Sequence, residues 1–163
     1  LTGFEPFRHW TVNSSWQAVR QVAATRRSVA ARLLPVDHAR AAEMVRSAIE
    51  ETAPDILLLT GLASDPVARL ERIGRAGPLS PHGGHVLRAG RWPWAAAHDT
   101  ARARGLPMRA SFNAGRYVCD TTYWAALRSH VPLVAFLHLP PVGPVWTPRR
   151  AARAVEAVLA AAI

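Results

Sequence analysis

Lysine is missing altogether: each of the 20 basic side chains in this 163-residue chain is an arginine. Set against 11 acidic residues they leave a net charge of +9 and a pI near 11.5. Such a balance invites nucleic acid or another acidic partner. The arginines, however, are spread from Arg8 to Arg153, and their densest groups are the pairs at 26–27 and 149–150. With alanine also abundant, this reads as compositional bias in the coding sequence. A phosphate-binding footprint is clustered, so specific nucleic-acid binding is not expected.

Cysteine is nearly as scarce, with Cys119 alone in the chain. A lone cysteine excludes an internal disulfide framework and points to a reducing, cytoplasmic setting. No apolar run is long enough to span a bilayer, and no basic-then-apolar signal segment opens the chain. The sequence begins at Leu1 without a methionine, already within what reads as a strand, so a few upstream residues are expected. Internal repeats and low-complexity tracts are absent. Neither GxGxxG nor GxxxxGK[ST] occurs, so nucleotide binding has no motif behind it. HExxH and CxxC are likewise missing, and neither a metal nor a cofactor is expected.

What is present is an alternation of strand-like and helix-like segments. LTGF ends a first strand and runs into a turn at Pro6. Asn13 caps a helix whose apolar positions Trp16, Val19 and Val22 recur at helical spacing. Residues 29–36 alternate as a strand does, and Asp37 caps a helix with Ala41, Met44, Val45, Ala48 and Ile49 on one face. DILLLTG (55–61) is a continuous apolar run, suited to a strand covered on both faces. A helix over 95–104, a short strand ending at Ser111, a helix over about 118–129 and the strand VPLVAFLHL (131–139) follow. Thr147 and Pro148 open a terminal helix reaching about Ala162. Residues 62–93, rich in proline and glycine, interrupt the rhythm and read as a hairpin or irregular excursion.

Half of the residues are apolar, enough for one core of ordinary size. The expected architecture is therefore α/β: a single domain over 1–163, an α/β/α sandwich around a mainly parallel twisted sheet. Sites in such sheets gather beyond the carboxyl ends of the strands. TGFEPF, TGLASD, NAGRYVC and HLPP would deliver residues there.

Cys119 follows a turn containing Gly115 and stands near a helix start, where a thiol ionises more easily. The alternative is a structural cysteine on the helix's buried face, and the residues alone favour it. His138 leaves an apolar strand where a general base could reach a neighbouring loop; a core histidine bonded to a carbonyl is the competing role. Glu71, between Leu70 and Arg72, could orient that imidazole or belong to a solvent-facing charge cluster with Arg69 and Arg72. HGGH at 82–85 brings His82 and His85 together across a flexible link, a poor rigid metal site and better read as a surface loop. WPW at 92–94 could stack bases but is better placed covering an apolar edge.

In order along the chain, these segments resemble the pyroglutamyl peptidase I (pyrrolidone-carboxylate peptidase) family. TGFEPF and VNSSW resemble its TGFEPFGG and NPSW, PDILLLTGLA its PDxxxxxGxA, and LERI its ERVA. FNAGRYVCD resembles the family's NxAGxYVCN turn and VAFLHLP its GFIHxP strand. The resemblance implies a cysteine peptidase that removes N-terminal pyroglutamate from peptides, without a cofactor and in the cytoplasm. It implies Cys119 as nucleophile, His138 as general base and Glu71 as the residue holding the imidazole, and so reverses the structural reading of the cysteine. Phe4, Phe7, Tyr117 and Val118 would line an apolar slot for the pyrrolidone ring, and a homotetramer is implied too.

The chain departs from the family pattern at several points. SDP (64–66) stands for Gly-Gly-Arg, Leu62 for glutamine, Arg8 for the first glycine after TGFEPF, and Asp120 for the asparagine after the cysteine. GRAGPLSPHGG (74–84) replaces a run that shapes the pocket and supplies an arginine. The chain also reads as shorter than family members, and a shortened or rebuilt pocket wall is expected. The alternative function is a truncated homologue with little or no activity, kept as a binding or scaffolding module.

Overall fold

A computed structural model describes residues 1–76 and 86–163. The elements in chain order are β1 (Thr2–Phe4), α1 (Ser14–Thr25), β2 (Arg32–Leu34), α2 (His38–Thr52), β3 (Ile56–Leu62), β4 (Ala68–Glu71) and β5 (Ile73–Arg75). They continue with β6 (Leu87–Ala89), α3 (Trp94–Ala103), β7 (Met108–Ser111), α4 (Val118–Leu127), β8 (Leu133–Leu139) and α5 (Pro148–Ala160). Six strands form one sheet in the order β2-β1-β3-β8-β4-β7, and β5 pairs with β6 as an antiparallel hairpin.

The caps are those expected. Asn13 Oδ1 accepts from the Ser15 N–H, Asp37 Oδ1 from Arg40 and Thr147 Oγ1 from Arg150, each satisfying a donor that the helix cannot. Pro148 occupies the first turn of α5, where its missing N–H costs nothing.

The sheet is mainly parallel: β2, β1, β3 and β8 run together. β4 lies antiparallel to β8, and β7 follows β4. The excursion predicted for 62–93 thus contains the β5–β6 hairpin and also an inner strand of the main sheet. β4 escapes a sequence reading because ARLE carries two charged side chains, Arg69 and Glu71, on one face of a buried strand. Three of the four site-bearing segments leave strands at the expected carboxyl edge. The fourth does not: β7 runs against β8, so the loop 112–117 has to carry the chain to α4 by a different route.

Side chains alternate along the buried strands, and this sorts the core into two layers. Leu58, Ala135, Leu137 and Leu139 meet α1, α3 and α5 through residues such as Val22, Ala101 and Val155. Leu57, Leu59, Val134 and Phe136 meet α2 and α4 through Val45, Ile49, Tyr123 and Leu127. Trp92 is buried in the first layer with Trp94 packed against it, as WPW covering an apolar edge requires. Among the described residues, no helix is long and apolar enough to cross a membrane.

Candidate active site

β8 and β4 bring Glu71 and His138 together. In their antiparallel register Arg69 faces His138 and Glu71 faces Phe136, so all four side chains share the α4 side of the sheet. The diagonal pair lies within reach of long side chains. Glu71 Oε1 is 2.8 Å from His138 Nδ1, with Glu71 wholly buried and His138 3% exposed. With Glu71 as the acceptor, Nδ1 carries the hydrogen and Nε2 is left for the cleft. Burial holds the imidazole below its usual pKa, while the bond to Glu71 and that carboxylate's charge push upward.

Arg69 backs this pair. Its guanidinium bonds Asp65 Oδ2 at 2.9 Å and lies 3.4 Å from Glu71 Oε1. Asp65 also holds Arg109 at 2.9 Å. Arg69 Nη2 approaches His138 Nδ1 to 3.5 Å; with the hydrogen on Nδ1, this is a contact between two donors. Glu71 is therefore no member of a solvent-facing cluster. Tyr123 of α4 donates to the Glu71 backbone carbonyl at 2.9 Å and ties that helix to β4.

Cys119 is the second residue of α4. Its thiol lies over Gly61, where a Cβ would stand 3.1 Å from Sγ and 3.0 Å from the Phe136 ring. Gly61 is the register partner of His138 in the adjoining strand. The missing side chain at 61 thus makes the space that places the thiol beside the imidazole's strand. Among the described residues no hydrogen bond joins Cys119 to His138.

The expectation that the helix start eases ionisation of this thiol is corrected. Burial, then the Asp120 carboxylate beside it, push the Cys119 thiol up to about 12. Glu71 adds to this, and the opposing pull of its own backbone N–H and of Arg69 is smaller. Asp120 is itself held by the Arg75 backbone N–H at 2.9 Å. Its carboxyl is raised to about 6, first by burial.

Cys119 and His138 open on a cleft of about 770 Å³ lined also by Phe4, Phe7, Tyr117 and Val118, so every side chain predicted for an apolar slot reaches it. Phe4 and Val118 are buried, and Tyr117 is 61% exposed. The SS of VNSSW explains how Phe4 is fixed. Ser15 Oγ accepts from the Phe4 N–H at 3.0 Å, and Asn13 Nδ2 donates to the Glu5 carbonyl at 2.9 Å, so the first helix pins the TGFEPF turn.

Gly61 and Tyr123 carry no expectation from sequence, and Arg69 and Asp65 enter it only as a charge-cluster member and as part of SDP, without a role in the site. A glycine ending an otherwise bulky apolar strand is a signal for Gly61; the other three depend on the β4–β8 register. Most of the rebuilt run at 74–84, and with it His82 and His85, falls among residues 77–85, outside the described residues. Among the described residues no cluster of ligating side chains could hold a metal ion.

The layered α/β fold has close counterparts among known proteins. The family model for pyroglutamyl peptidase matches residues 1–75. The pyrrolidone-carboxylate peptidase of Chromobacterium violaceum is 33% identical over 162 residues, covering 86% of this chain and 76% of the relative. That of Klebsiella pneumoniae is 30% identical, covering 93% and 79%. Among solved structures, the pyrrolidone carboxyl peptidase of Thermus thermophilus superposes with a TM-score of 0.84 at 29% identity, over 98% of this chain and 97% of that one. Pyroglutamyl peptidase I of Bacillus amyloliquefaciens shares the fold, with a TM-score of 0.86 at 22% identity over 99% and 94%. The chain belongs to the pyroglutamyl peptidase family.

Proposed function

We propose that this protein is a cysteine peptidase that removes an N-terminal pyroglutamyl residue from peptides, acting as one domain over residues 1–163 in the cytoplasm. The observation that carries the reading is the Glu71–His138 bond of 2.8 Å, in which a carboxylate buried behind the cleft wall holds an imidazole that lines the same cleft as Cys119. A buried carboxylate orienting an imidazole beside a thiol is the arrangement needed for acyl transfer.

The thiol sits high and the imidazole low, which favours a neutral pair in the resting cleft. Attack is then coupled to proton transfer. Cys119 Sγ forms a bond to the pyroglutamyl carbonyl carbon as its proton passes to His138 Nε2. The amide C–N bond breaks, and His138 delivers that proton to the departing amine. Water, deprotonated by His138, cleaves the thioester, releases pyroglutamate and returns the thiol. The Cys119 backbone N–H, in the first turn of α4 and without an intrahelical acceptor, is placed to stabilise the oxyanion. Phe4, Phe7, Tyr117 and Val118 offer apolar walls for the flat, uncharged lactam.

Purified protein should release a reporter amine from an L-pyroglutamyl amide, and Cys119→Ala should abolish release. No turnover by wild type across a broad pH range overturns the reading. A second reading, a binding or scaffolding module without turnover, draws on the thiol's upward shift to about 12. Under it Cys119 alkylates no faster than a free thiol and pyroglutamate binds weakly or not at all. A homo-oligomer, which the family resemblance implies, is checked by sedimentation.

A further inference from the structure

Of the cationic side chains around the cleft, Arg69 is committed to Asp65 and Glu71. Arg8 is not committed. It lines the same cleft, yet among the described residues it makes no hydrogen bond or ion pair to any carboxylate. Its one specific contact is the Tyr117 ring, with the guanidinium carbon 5.0 Å from the centroid. That stack spans from the β1–α1 loop to the residue two before Cys119, and an aromatic face leaves guanidinium N–H groups free to donate.

The backbone at Arg8 is unusual. Its φ is 55°, and among the described residues the only other non-glycine with a positive φ is Ala53, which caps α2. A left-handed arginine is strained and persists only where its surroundings dictate it. Here the flanking turn is held by the Trp10 N–H to the Phe7 carbonyl at 3.1 Å and by Asn13 on Glu5. The loop therefore presents a long cationic side chain at the cleft.

Resting on the pyroglutamyl peptidase reading above, we infer that Arg8 is a specificity-determining residue that favours peptides carrying a carboxylate just beyond the pyroglutamyl residue. The lactam is uncharged, and Phe4, Phe7 and Val118 give it apolar walls, so an unpaired guanidinium serves no purpose at the ring. The cleft volume of about 770 Å³ leaves room for more of the peptide than one five-membered ring. An acidic side chain there meets a cation that no protein carboxylate neutralises.

The test compares kcat/KM for three dipeptide amides, pyroglutamyl-Glu, pyroglutamyl-Gln and pyroglutamyl-Lys, at low and high salt. Wild type should favour Glu over Gln by about 3–10-fold, with Lys last. The difference should sit mainly in KM, because the charge is felt equally before and during the chemistry. It should shrink at high salt. Arg8→Gln should bring the Glu/Gln ratio close to one, and Arg8→Lys should keep part of it. Equal rates for Glu and Gln in wild type, or an unchanged ratio in Arg8→Gln, overturn the inference while leaving the peptidase reading intact. If Arg8→Gln fails to fold, the wild-type ratio decides through its salt dependence: a salt-insensitive ratio overturns the inference. Hydrolysis of none of the three sinks the peptidase reading instead. Calorimetric affinities of the wild-type protein for the Glu and Gln amides then decide the charge preference directly.

Discussion

Burial acts in opposite senses on His138 and Cys119, lowering the imidazole and raising the thiol, while the neighbouring carboxylates push both upward. Glu71 pushes the His138 imidazole up against the larger lowering effect of burial. With the proposed base active only when neutral, kcat/KM should fall on the acid side with a midpoint below the ordinary histidine value of 6.5. In Glu71→Gln that limb should move to still lower pH, and the plateau should drop on the order of 10²–10⁴-fold as the imidazolium loses its partner. A full pH–rate profile checks both. Asp120 raises the thiol and is itself raised from 3.8 to about 6. A carboxyl held above its unfolded value contributes most to stability below about pH 4, and that contribution is lost as pH rises through about 6. Asp120→Asn should therefore melt higher than wild type at pH 8, with the gain vanishing near pH 4. The same variant should alkylate with iodoacetamide faster at pH 8, because the thiol loses its nearest negative neighbour.

Strand register and helix placement set how these groups meet. β8 carries Phe136 and His138 on the face that α4 covers, β4 adds Glu71 by running antiparallel beside it, and β3 leaves a gap at Gly61 for the thiol. In Gly61→Ala the new methyl would meet the Phe136 ring at 3.0 Å and Sγ at 3.1 Å, so Cys119 has to shift. Displacing a nucleophile by a fraction of an ångström should lower kcat/KM by about 10–100-fold while the far-ultraviolet circular dichroism stays unchanged. Wild-type activity in Gly61→Ala would show that the thiol is not positioned by this contact. The close approach of α1 to β1 has a similar origin, since a Cβ at Gly3 would lie 2.7 Å from the Trp16 Cα.

Taken whole, the molecule divides into a layer that carries the chemistry and a layer that supports it. The cleft lies on the α2 and α4 side of the sheet, while α1, α3 and α5 pack an alanine-rich core on the other. Val155 of α5 is fully buried in that supporting layer. Val155→Ala should destabilise the fold by about 1–3 kcal/mol in urea unfolding. The kcat/KM of the folded fraction should stay within about twofold of wild type, as expected for a distant, independent site. A large loss of activity in the folded fraction would mean that the layers are coupled across the sheet.

Much of this was open to a reader of the chain. Asn13, Asp37 and Thr147 announce helix starts because capping is a local transaction between neighbours. The runs at 56–62 and 133–139 announce buried strands because continuous apolarity demands cover on both faces. Cys119, His138 and Glu71 and their division of roles could be nominated through motif resemblance, but the geometry that joins Glu71 to His138 could not, since residues 67 positions apart meet only through strand pairing. The reversal of β4, the commitment of Arg69 to Asp65 and Glu71, and the vacancy above Gly61 all arise from non-local register. So does much of the upward push on the thiol's pKa. A helix start favours the thiolate locally, but the fold leaves Cys119 only partly exposed on the cleft with the Asp120 carboxylate next to it, and both push the thiol's pKa up.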